Sequence, residues 1–436
     1  MDKTRDVSSG RMAGFYKWEV LALLWMAYLL NQADRQVFNT VLPQIRDSLS
    51  LTDVSIGWIA TIFNLFFALS VPLGGWAGDR LSRKWVTTCS ILFWSVATML
   101  TGFAGGFISL VLFRSIATGG GEAVFSPSCM ALLAQYHTDT RARALSIHQT
   151  AYYIGIILSG FLAGLIADKM GWQWSFCIFG SVGIIWGIVM IFRLKDKPAE
   201  AAPAEVAESQ APAEAQPVTA AAAKPGFLDG FKFMFKTPTA IMLIIGFSGL
   251  IFVLNGYLTW MPTYLHESFD MTLAQAGFNA TFYTHIFAFV GVLLAGSISD
   301  RIGAKNPRWR MALQGIGLLF AVPFLFMMGS PRILWVVYLG CAGFGFARAF
   351  FDANTYTVLY DVIPPRLHAS ASSVMIMIGF GVGSLAPVVL AAIKTSRGLA
   401  FGFSCLAVIW LVCGALMLLV SRLHYQKDYD KMRKNL

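Results

Sequence analysis

Long apolar runs make up most of this chain, and short polar segments separate them. Each run approaches or exceeds about 20 residues, which is the length that a helix needs to cross a hydrocarbon layer of roughly 30 Å. Backbone groups in lipid must bond within their own segment, so such runs are expected to be helical. The pattern predicts twelve membrane-spanning helices, at residues 18–40, 54–78, 86–104, 108–132, 146–168, 174–193, 238–263, 276–298, 312–329, 333–358, 370–393 and 399–421.

A segment of different composition separates the sixth and seventh runs. The stretch "KPAEAAPAEVAESQAPAEAQPVTAAAAKP" is rich in Ala, Pro and Glu and has almost no large apolar residue. Such a composition is typical of a flexible linker. We therefore predict an all-α membrane protein, divided into an N-terminal six-helix half at 1–193, a cytoplasmic linker at 194–237, a C-terminal six-helix half at 238–421 and a cytoplasmic tail at 422–436.

The composition and the charge distribution agree with this architecture. Hydrophobic residues are 56% of the chain and charged residues only 13%, which is more apolar than an average soluble domain. With both termini in the cytoplasm, cytoplasmic segments hold 25 of the 33 Lys and Arg residues, and the opposite loops hold five. Positive charge accumulates on the cytoplasmic side of membrane proteins. We therefore predict a multi-pass protein of the inner or plasma membrane with cytoplasmic termini, and its net charge of +10 does not indicate a nucleic-acid partner.

The sequence shows no pattern of an enzyme or of a metal site. All six cysteines lie in apolar runs without metal-ligand spacing, so we expect buried free thiols. We find no phosphate-binding loop and no nucleophile elbow. The polar, basic N-terminus precedes an apolar run that is too long for the core of a cleavable signal peptide. We therefore expect no enzyme activity, no cofactor, no metal and a retained first span.

The two halves share landmarks at matching positions. The stretch "GGWAGDRLSRKW" ends the second span and "GSISDRIGAKN" ends the eighth, which pairs Asp79 with Asp300 at an offset of 221. Pro43 after the first span pairs with Pro262 in the seventh at an offset of 219. Two landmarks with nearly equal offsets indicate a duplicated six-span unit, which is typical of secondary transporters.

The loop between spans two and three carries a family motif. Its pattern, G-x-x-x-D-R-x-x-[RK]-[RK], resembles the signature loop of the major facilitator superfamily, with Ser82 at a position where that motif commonly has Gly. A weaker copy in the second half has Ala304 in place of the first trailing basic residue. The resemblance covers all twelve spans and implies the fold of that superfamily, in which two six-helix bundles are related by pseudosymmetry.

The same resemblance implies a role for the charged residues of these loops. In the superfamily, the loop is thought to latch the cytoplasmic ends of helices. A carboxylate here is placed to meet a helix N-terminus or an Arg of a neighbouring span. We interpret the following as gating residues rather than substrate ligands: Asp79, Arg80, Arg83, Asp300 and Arg301.

Three further stretches resemble one subfamily. "LNQADRQVFNTVLPQI" in span one, "GGGEAVFSP" in span four and "LTWMPTYL" in span seven are similar to motifs of the anion:cation symporter family, which includes sugar-acid, hexuronate and sialic-acid transporters. Gln32 replaces the Tyr that is usual in the first motif. Spinster-type lipid transporters share the D-R and G-E-A elements, so the span-seven element is what favours an organic-anion transporter.

Span one contains two adjacent charges. Asn31, Asp34 and Arg35 are spaced i, i+3, i+4 and share one helix face. Lipid rejects such a face, so it must turn toward the protein interior or a water-filled cavity. The planar guanidinium of Arg35 suits a carboxylate. We interpret Asn31 and Arg35 as substrate-binding and Asp34 as proton-coupling. The alternative is a structural role, in which Asp34 and Arg35 pair with other helices to hold the bundle.

Span four contains Glu122 and Arg114. Glu122 lies near mid-span behind three glycines, and burial favours the neutral form of a carboxyl group. We interpret Glu122 as a proton carrier, with a structural hydrogen bond as the alternative. The resembling family usually places an Arg seven positions before this Glu, and here the separation is eight. One additional residue rotates an α-helical side chain by about 100°, so Arg114 belongs either to the site or to the outer mouth or a protein contact.

Span ten contains Arg348 and Asp352 at positions i and i+4. An intrahelical pair of this kind contributes little to stability. Aligning Arg141 with Arg366 at an offset of 225 maps Glu122 onto position 347, beside Arg348. An acid in one half then faces a base at a similar depth in the other. We interpret Arg348 as substrate-binding and Asp352 as its partner in the absence of substrate.

Other polar side chains in the spans suit the hydroxyl groups of a sugar. We expect the following at the cavity wall: Tyr152, Tyr153, Asn255, Asn279 and Tyr283. His148 and His285 have two interpretations, as cavity residues or as structural groups, because histidines near membrane ends are more often structural.

Together these residues predict an importer that couples a small organic anion to protons by alternating access, as a monomer in the lipid membrane. Glu122, aided by Asp34, takes a proton, and the substrate carboxylate docks on Arg35 with Arg348 opposite. Two alternatives remain, a Spinster-type transporter of lysolipids or amphiphiles and a proton-antiport exporter. The proline-rich span-five signature of such exporters is absent from "SIHQTAYYIGIILSGFLAG".

Overall fold

Twelve long helices form the described part of the molecule. The computed structural model describes residues 3–138, 140–195, 227–330 and 333–434, and within these ranges it contains no β-strand. Apart from its two ends, the predicted linker lies outside the described residues. The long helices are α1 (Lys3–Ser48), α2 (Asp53–Arg80), α3 (Arg83–Thr101), α4 (Phe107–Leu110, Val111–Thr118 and Gly119–Tyr136), α5 (Arg141–Met170), α6 (Trp172–Arg193), α7 (Pro238–Phe269), α8 (Leu273–Gly303), α9 (Arg308–Met328), α10 (Leu334–Asp352 and Thr355–Val362), α11 (His368–Gly383 and Ala386–Arg397) and α12 (Leu399–Leu423). Two short α-helices, Phe227–Met234 and Tyr425–Lys434, and the 3-10 helix Pro365–Leu367 lie outside the long ones.

These helices confirm the prediction of an all-α membrane protein, since each predicted span overlaps one of them. In the described part of the chain, ten helices are long and apolar enough to cross a membrane by length and composition. The other two long helices are α1 and α3. The charges of Asp34 and Arg35 lie in α1, and α3 is rich in Ser and Thr.

Polar side chains at the loops set the start of several helices. The side chain of Thr52 accepts a hydrogen bond from the backbone N–H of Ser55 at the start of α2. Ser82, which departs from the motif pattern, accepts in the same way from Trp85 and caps α3. Thr272 and Gln275 form a reciprocal capping box at the start of α8. Each of these bonds satisfies a backbone donor that the first helical turn leaves unpaired.

The helices pack as two bundles with a repeated interface between them. Within the N-terminal half, α1 packs on α5 and α3 on α6, and within the C-terminal half α8 packs on α10 and α9 on α12. Between the halves, α5 packs on α8 and α2 on α11. The internal repeat pairs α2 with α8 and α5 with α11, so these two inter-half contacts are copies of each other.

Glycines bring the helices of both inter-half contacts close together. A Cβ atom added to Gly160 of α5 would lie 2.6 Å from the carbonyl oxygen of Gly277 of α8. A Cβ atom on Gly57 of α2 would lie 2.8 Å from the Cβ atom of Ala391 of α11. Only residues without a side chain allow such approach. The two halves are therefore in direct backbone contact at one end of the bundle.

Charged side chains join the halves at this same end. Lys394 Nζ lies 2.9 Å from Asp53 Oδ1 and 2.9 Å from Glu267 Oε1. Arg46 Nη1 lies 2.6 Å from Glu267 Oε1 and 3.2 Å from Asp53 Oδ1. We call Arg46, Asp53, Glu267 and Lys394 the closed-end cluster. Asp168 adds a further link, because its carboxylate accepts from the first two backbone N–H groups of α8.

The motif loops lie at the opposite end. Arg80, Asp300 and Arg301 are exposed there, and Arg83 donates to the side chain of Gln135 at 3.5 Å. The side chain of Asp79 lies outside the described part of the chain. The gating role of these loop residues stays a prediction.

The C-terminal segment docks on this second end. Tyr425 donates to Asp361 at 2.6 Å, and Arg310 donates to both oxygens of the same carboxylate at 3.1 and 2.9 Å. Asp428 accepts from the backbone N–H and the hydroxyl of Thr239 at 3.0 and 2.7 Å. Burial raises the pKa of Tyr425, and the neighbouring Asp361 raises this pKa further, so the phenol stays protonated as a donor. The tail is therefore part of the C-terminal bundle.

Candidate functional site

A cavity with both polar and apolar side chains in its wall lies at the contact between the two halves. Its volume is about 150 Å³, and α1, α2, α4 and α5 of the N-terminal half line it together with α7 and α11 of the C-terminal half. Arg35 and Arg114 supply its positive charge. The uncharged polar residues of the wall are Gln32, Gln36, Asn39, Asn64, Tyr152, Asn255 and Thr259.

Arg35 forms an ion pair at the wall of this cavity. Its Nε atom lies 2.7 Å from Glu122 Oε2, which joins α1 to α4. The Arg35 side chain is 24% exposed and that of Glu122 is fully buried. The guanidinium also lies over the ring of Phe67, 4.0 Å from its centre. Arg35 is therefore fixed from two sides and open on the side of the cavity.

Glu122 has one oxygen that the protein leaves unpaired. Its Oε1 atom is buried and has no hydrogen-bond partner, whereas Oε2 accepts from Arg35. An unpaired oxygen of a buried carboxylate costs free energy. A proton on Oε1 would reduce that cost, so this geometry fits a group that alternates between its charged and its neutral form.

Asp34 and Asn31 point away from the cavity. Asp34 accepts from the hydroxyl of Thr98 on α3 at 3.1 Å and is almost fully buried. Asn31 accepts from the side chain of Gln32 at 3.0 Å and is fully buried. The polar face predicted for α1 is therefore only partly in the cavity wall. Arg35 lines the cavity, whereas Asn31 and Asp34 do not.

Arg114 lies at the cavity wall, although its spacing from Glu122 had suggested the outer mouth or a protein contact as alternatives. Its guanidinium lies 4.2 Å from the ring centre of Phe63 and 5.4 Å from that of Phe38. Its Nη2 atom donates weakly to the carbonyl oxygen of Arg35, at 3.4 Å. The prediction of a rotated Arg114 assumed a regular α-helix, but Val111–Thr118 is a π-helical segment that takes up the additional residue.

Arg348 lies deeper than the cavity wall. Its Nε atom is 2.9 Å from Asp352, and its side chain is 5% exposed. The hydroxyl of Tyr152 lies beside Arg348 and within electrostatic range of Arg35. Tyr152 therefore interacts with an arginine of each half and lines the cavity, which Arg348 does not line.

The other predicted residues divide into two groups. Asn255 lines the cavity and donates to the carbonyl oxygen of Gly383 at 3.2 Å. Tyr153 packs beside Tyr152 against the ring of His285, outside the cavity lining.

Asn279 and Tyr283 lie in α8 beyond the cavity lining. Asn279 contacts the sulfur of Met271 at 3.9 Å, and Tyr283 stacks on Tyr338 at 4.4 Å.

The two histidines lie outside the cavity lining. His148 stacks on Tyr28 with ring centres 4.8 Å apart, and its Nε2 atom lies 3.7 Å from Cys129 Sγ. His285 Nδ1 is 2.8 Å from the carbonyl oxygen of Thr281. Both are fully buried and neither lines the cavity.

The sequence interpretation missed several amides of the wall. Gln32, Gln36 and Asn39 lie on α1 with Arg35 between them, at spacings of about one helical turn, and Asn64 lies on α2. This spacing is a signal that the printed sequence contains, because residues three and four apart share a helix face. In the described residues, no group of three or more His, Cys, Asp and Glu side chains is placed to hold a metal ion.

Comparison with known proteins gives consistent results. A family model described as Major Facilitator Superfamily matches residues 24–387. The chain is 28% identical to the hexuronate transporter of Bacillus subtilis strain 168 over 296 residues, which is 67% of this chain and 66% of that protein. It is 24% identical to the cis,cis-muconate transport protein of Acinetobacter baylyi over 424 residues, which is 96% of this chain and 97% of that protein.

A solved structure has the same fold. The inward-facing, unoccupied structure of a bacterial homologue of the human lysosomal transporter Spinster superposes with a TM-score of 0.79, at 22% identity, over 95% of this chain and 98% of that one. At this level of identity the likeness establishes the twelve-helix architecture of two bundles.

Proposed function

Because the chain belongs to the Major Facilitator Superfamily and is a transporter rather than an enzyme, we propose that it imports a small organic anion together with a proton, by alternating access. The observation that carries this proposal is the ion pair of Arg35 and Glu122 at the wall of the central cavity. It places a permanent cation and a titratable acid in direct contact, at the contact between the two halves.

Arg35 is the proposed clamp for the substrate carboxylate. A guanidinium presents a planar fork that binds a carboxylate through two parallel hydrogen bonds. In the structure, Arg35 donates through Nε to Glu122, and the cavity lies on its open side. A substrate carboxylate therefore competes with Glu122 for the same cation.

This competition couples the anion to a proton. When the substrate takes Arg35, an ionised Glu122 would remain buried without its partner, which costs several kcal/mol. Protonation of Glu122 removes that charge. The anion and the proton then bind together, with no change in the net charge of the site, and this linked binding is what symport requires. Asp34 lies close enough to interact electrostatically with Glu122 and assists as a second acid.

Arg114 and the amides contact the rest of the substrate. Arg114 has two buried N–H donors without a partner, Nε and Nη1, and a ligand oxygen would satisfy them. Gln32, Gln36 and Asn255 provide donors and acceptors for hydroxyl groups. The named relatives transport hexuronate and muconate, both of which are carboxylates. We propose a sugar acid of the hexuronate type as the substrate, with Arg348 held behind Tyr152 until the cavity opens on that side.

The closed-end cluster forms one of the two gates of the proposed cycle. The charge bias of the loops predicts that this cluster faces the outside. With that orientation, the structure is closed outside, and the exposed motif loops lie on the cytoplasmic side. Opening the outer gate separates Lys394 and Arg46 from the acids of the other half.

Uptake by proteoliposomes tests this proposal. Vesicles containing the full chain are given D-glucuronate, D-galactonate, sialic acid or a lysophospholipid, with and without an inwardly directed proton gradient. We expect uptake of a sugar acid above its equilibrium level only with the gradient. Equal uptake with and without the proton gradient would reject proton coupling.

A Spinster-type transporter of amphiphiles is the second candidate. Four phenylalanines favour it, since Phe38, Phe63 and Phe380 line the cavity and Phe67 lies under Arg35. These rings suit an apolar chain as well as the face of a sugar. Lysophospholipid movement without sugar-acid uptake in the same assay would select this candidate.

A further inference from the structure

One segment of α4 departs from regular helical geometry beside the cavity. Val111–Thr118 is π-helical, and regular α-helix precedes and follows it. The hydroxyl of Thr118 donates to the carbonyl oxygen of Phe113, five residues earlier, at 2.9 Å. The hydroxyl of Ser115 donates to the carbonyl oxygen of Ile59 on α2 at 2.7 Å. π segments are rare, arise from about one additional residue in a helix, and occur frequently at functional sites.

The π segment decides which way Arg114 points. Eight positions of a regular α-helix turn through about 800°, so a regular α4 would leave Arg114 and Glu122 about 80° apart around its axis. A π turn contains about one more residue, which lowers the rotation per residue and brings the two side chains to within about 30°. Arg114 lies within electrostatic range of Glu122 and at the cavity wall. The π segment therefore compensates for the additional residue between Arg114 and Glu122, which would otherwise turn Arg114 away from the cavity.

Arg114 is built to receive a ligand in this position. It is 4% exposed, its guanidinium stacks on Phe63 at 4.2 Å, and its Nε and Nη1 atoms have no partner. Two unsatisfied donors of a buried cation carry a desolvation cost that a bound anion would remove. Holding this guanidinium at the cavity therefore gives the irregular helical segment a functional explanation.

We propose that the π segment is a register device that delivers Arg114 to the cavity. The inference rests on the proposed function for the identity of the ligand, a carboxylate, but the direction of Arg114 is independent of transport. The device places a second guanidinium beside the first, so that the two contact different oxygen-bearing groups of one substrate.

Two single-residue deletions both remove the additional residue of the π segment, but they leave Arg114 pointing in different directions. Deletion of Ile116 shortens the separation of Arg114 and Glu122 to seven positions of regular helix, about 20° apart, and keeps Arg114 in the cavity. Deletion of Leu112, which is half exposed, also removes the additional residue but leaves the separation at eight, so Arg114 turns away. Deletion of Ala131, in the regular part of α4, is the control that rotates all later residues by about 100°.

The rate of thiol labelling reports whether the side chain at position 114 faces the cavity. Arg114→Cys is introduced into a chain whose six native cysteines are replaced, and the purified protein reacts with a water-soluble cationic methanethiosulfonate. We expect the Ile116 deletion to label at about the rate of the undeleted chain and the Leu112 deletion at least about tenfold more slowly, since it turns the thiol by about 80° out of the cavity. Equal rates for the two deletions would overturn the proposal.

The folding of the deletion variants is the second measurement. We expect the Leu112 and Ile116 deletions to elute as single symmetric peaks in size-exclusion chromatography and the Ala131 deletion to aggregate. Aggregation of both π-segment deletions would also overturn the proposal, because no surplus residue would then exist. A wild-type chain that fails to take up any sugar acid rejects the proposed function while leaving these labelling rates unaffected.

Discussion

At the scale of single residues, the cost of burying charge made the site partly predictable. A charged side chain inside a span must face protein or water, and this argument, together with the family resemblance and the internal repeat, singled out Arg35, Glu122 and Arg348 in the sequence. The ion pair of Arg35 with Glu122 was not predictable, because sequence spacing says nothing about which residues of different helices meet. Tyr152 interacts with both Arg35 and Arg348, and that placement also needed the structure.

Replacement of Arg35 by Lys tests the clamp. An ammonium cannot reproduce the planar fork, and loss of one charge-assisted hydrogen bond costs about 1.5–3 kcal/mol. We therefore expect Arg35→Lys to weaken sugar-acid binding by about tenfold or more, measured as the concentration that half-saturates exchange. Arg397→Lys, at an exposed position of α11, is the matched control. Unchanged affinity in Arg35→Lys would reject the clamp.

Replacement of Glu122 by Gln tests the proton carrier. Gln has the shape of a protonated Glu but cannot release a proton, so the site is fixed in its substrate-ready form. We expect Glu122→Gln to abolish gradient-driven accumulation and to retain exchange of internal for external sugar acid, measured in the same vesicles. Accumulation at the wild-type level would exclude Glu122 as the proton carrier.

At the scale of helices, the apolar runs predict the elements well. Runs of about 20 apolar residues have one structural solution in lipid, and each of the twelve predicted runs overlaps a helix. The π segment of α4 was not predicted, because "VLFRSIAT" has an ordinary helical composition. One of its side-chain hydrogen bonds, from Ser115, goes to the carbonyl oxygen of Ile59 on the neighbouring α2.

Replacement of Lys394 by Met tests the closed-end cluster. Lys394 contacts acids of both halves, so its loss leaves Asp53 and Glu267 close together with one cation between them. We expect Lys394→Met to populate a second, wider state at this end, measured as the distance distribution between spin labels at Ser50 and Ser396, both exposed. The matched control is Arg397→Met, which removes an exposed charge from the same helix. Identical distributions for Lys394→Met and wild type would contradict the role of the cluster as a gate.

At the scale of the whole molecule, the internal repeat predicted more than the number of helices. Two landmarks at offsets of 221 and 219 indicated two equivalent halves, and the structure has equivalent contacts of α2 with α11 and of α5 with α8. The family match confirms the resemblance to the major facilitator superfamily. The sequence could not predict that the structure is closed at one end, because a conformation open at that end would have the same sequence.

The orientation in the membrane is a further prediction at this scale. The distribution of Lys and Arg places both termini in the cytoplasm. We expect a single cysteine at Lys434 to resist a membrane-impermeant thiol reagent in intact cells and one at Ser396 to react, with both reacting after the cells are opened. The reverse pattern in intact cells would invert the assignment of the closed end to the outside.

Proton uptake on substrate binding tests the central claim most directly, namely that a substrate carboxylate displaces Glu122 from Arg35. The purified full chain in weakly buffered detergent solution, near neutral pH and with a pH indicator dye, is mixed with a sugar acid that the uptake screen identifies. The exchange of Glu122 for substrate at Arg35 predicts that the solution becomes more alkaline, by about one proton per bound substrate, and that Glu122→Gln binds substrate without this change. Saturable binding to the wild-type protein with no proton taken up would contradict the claim.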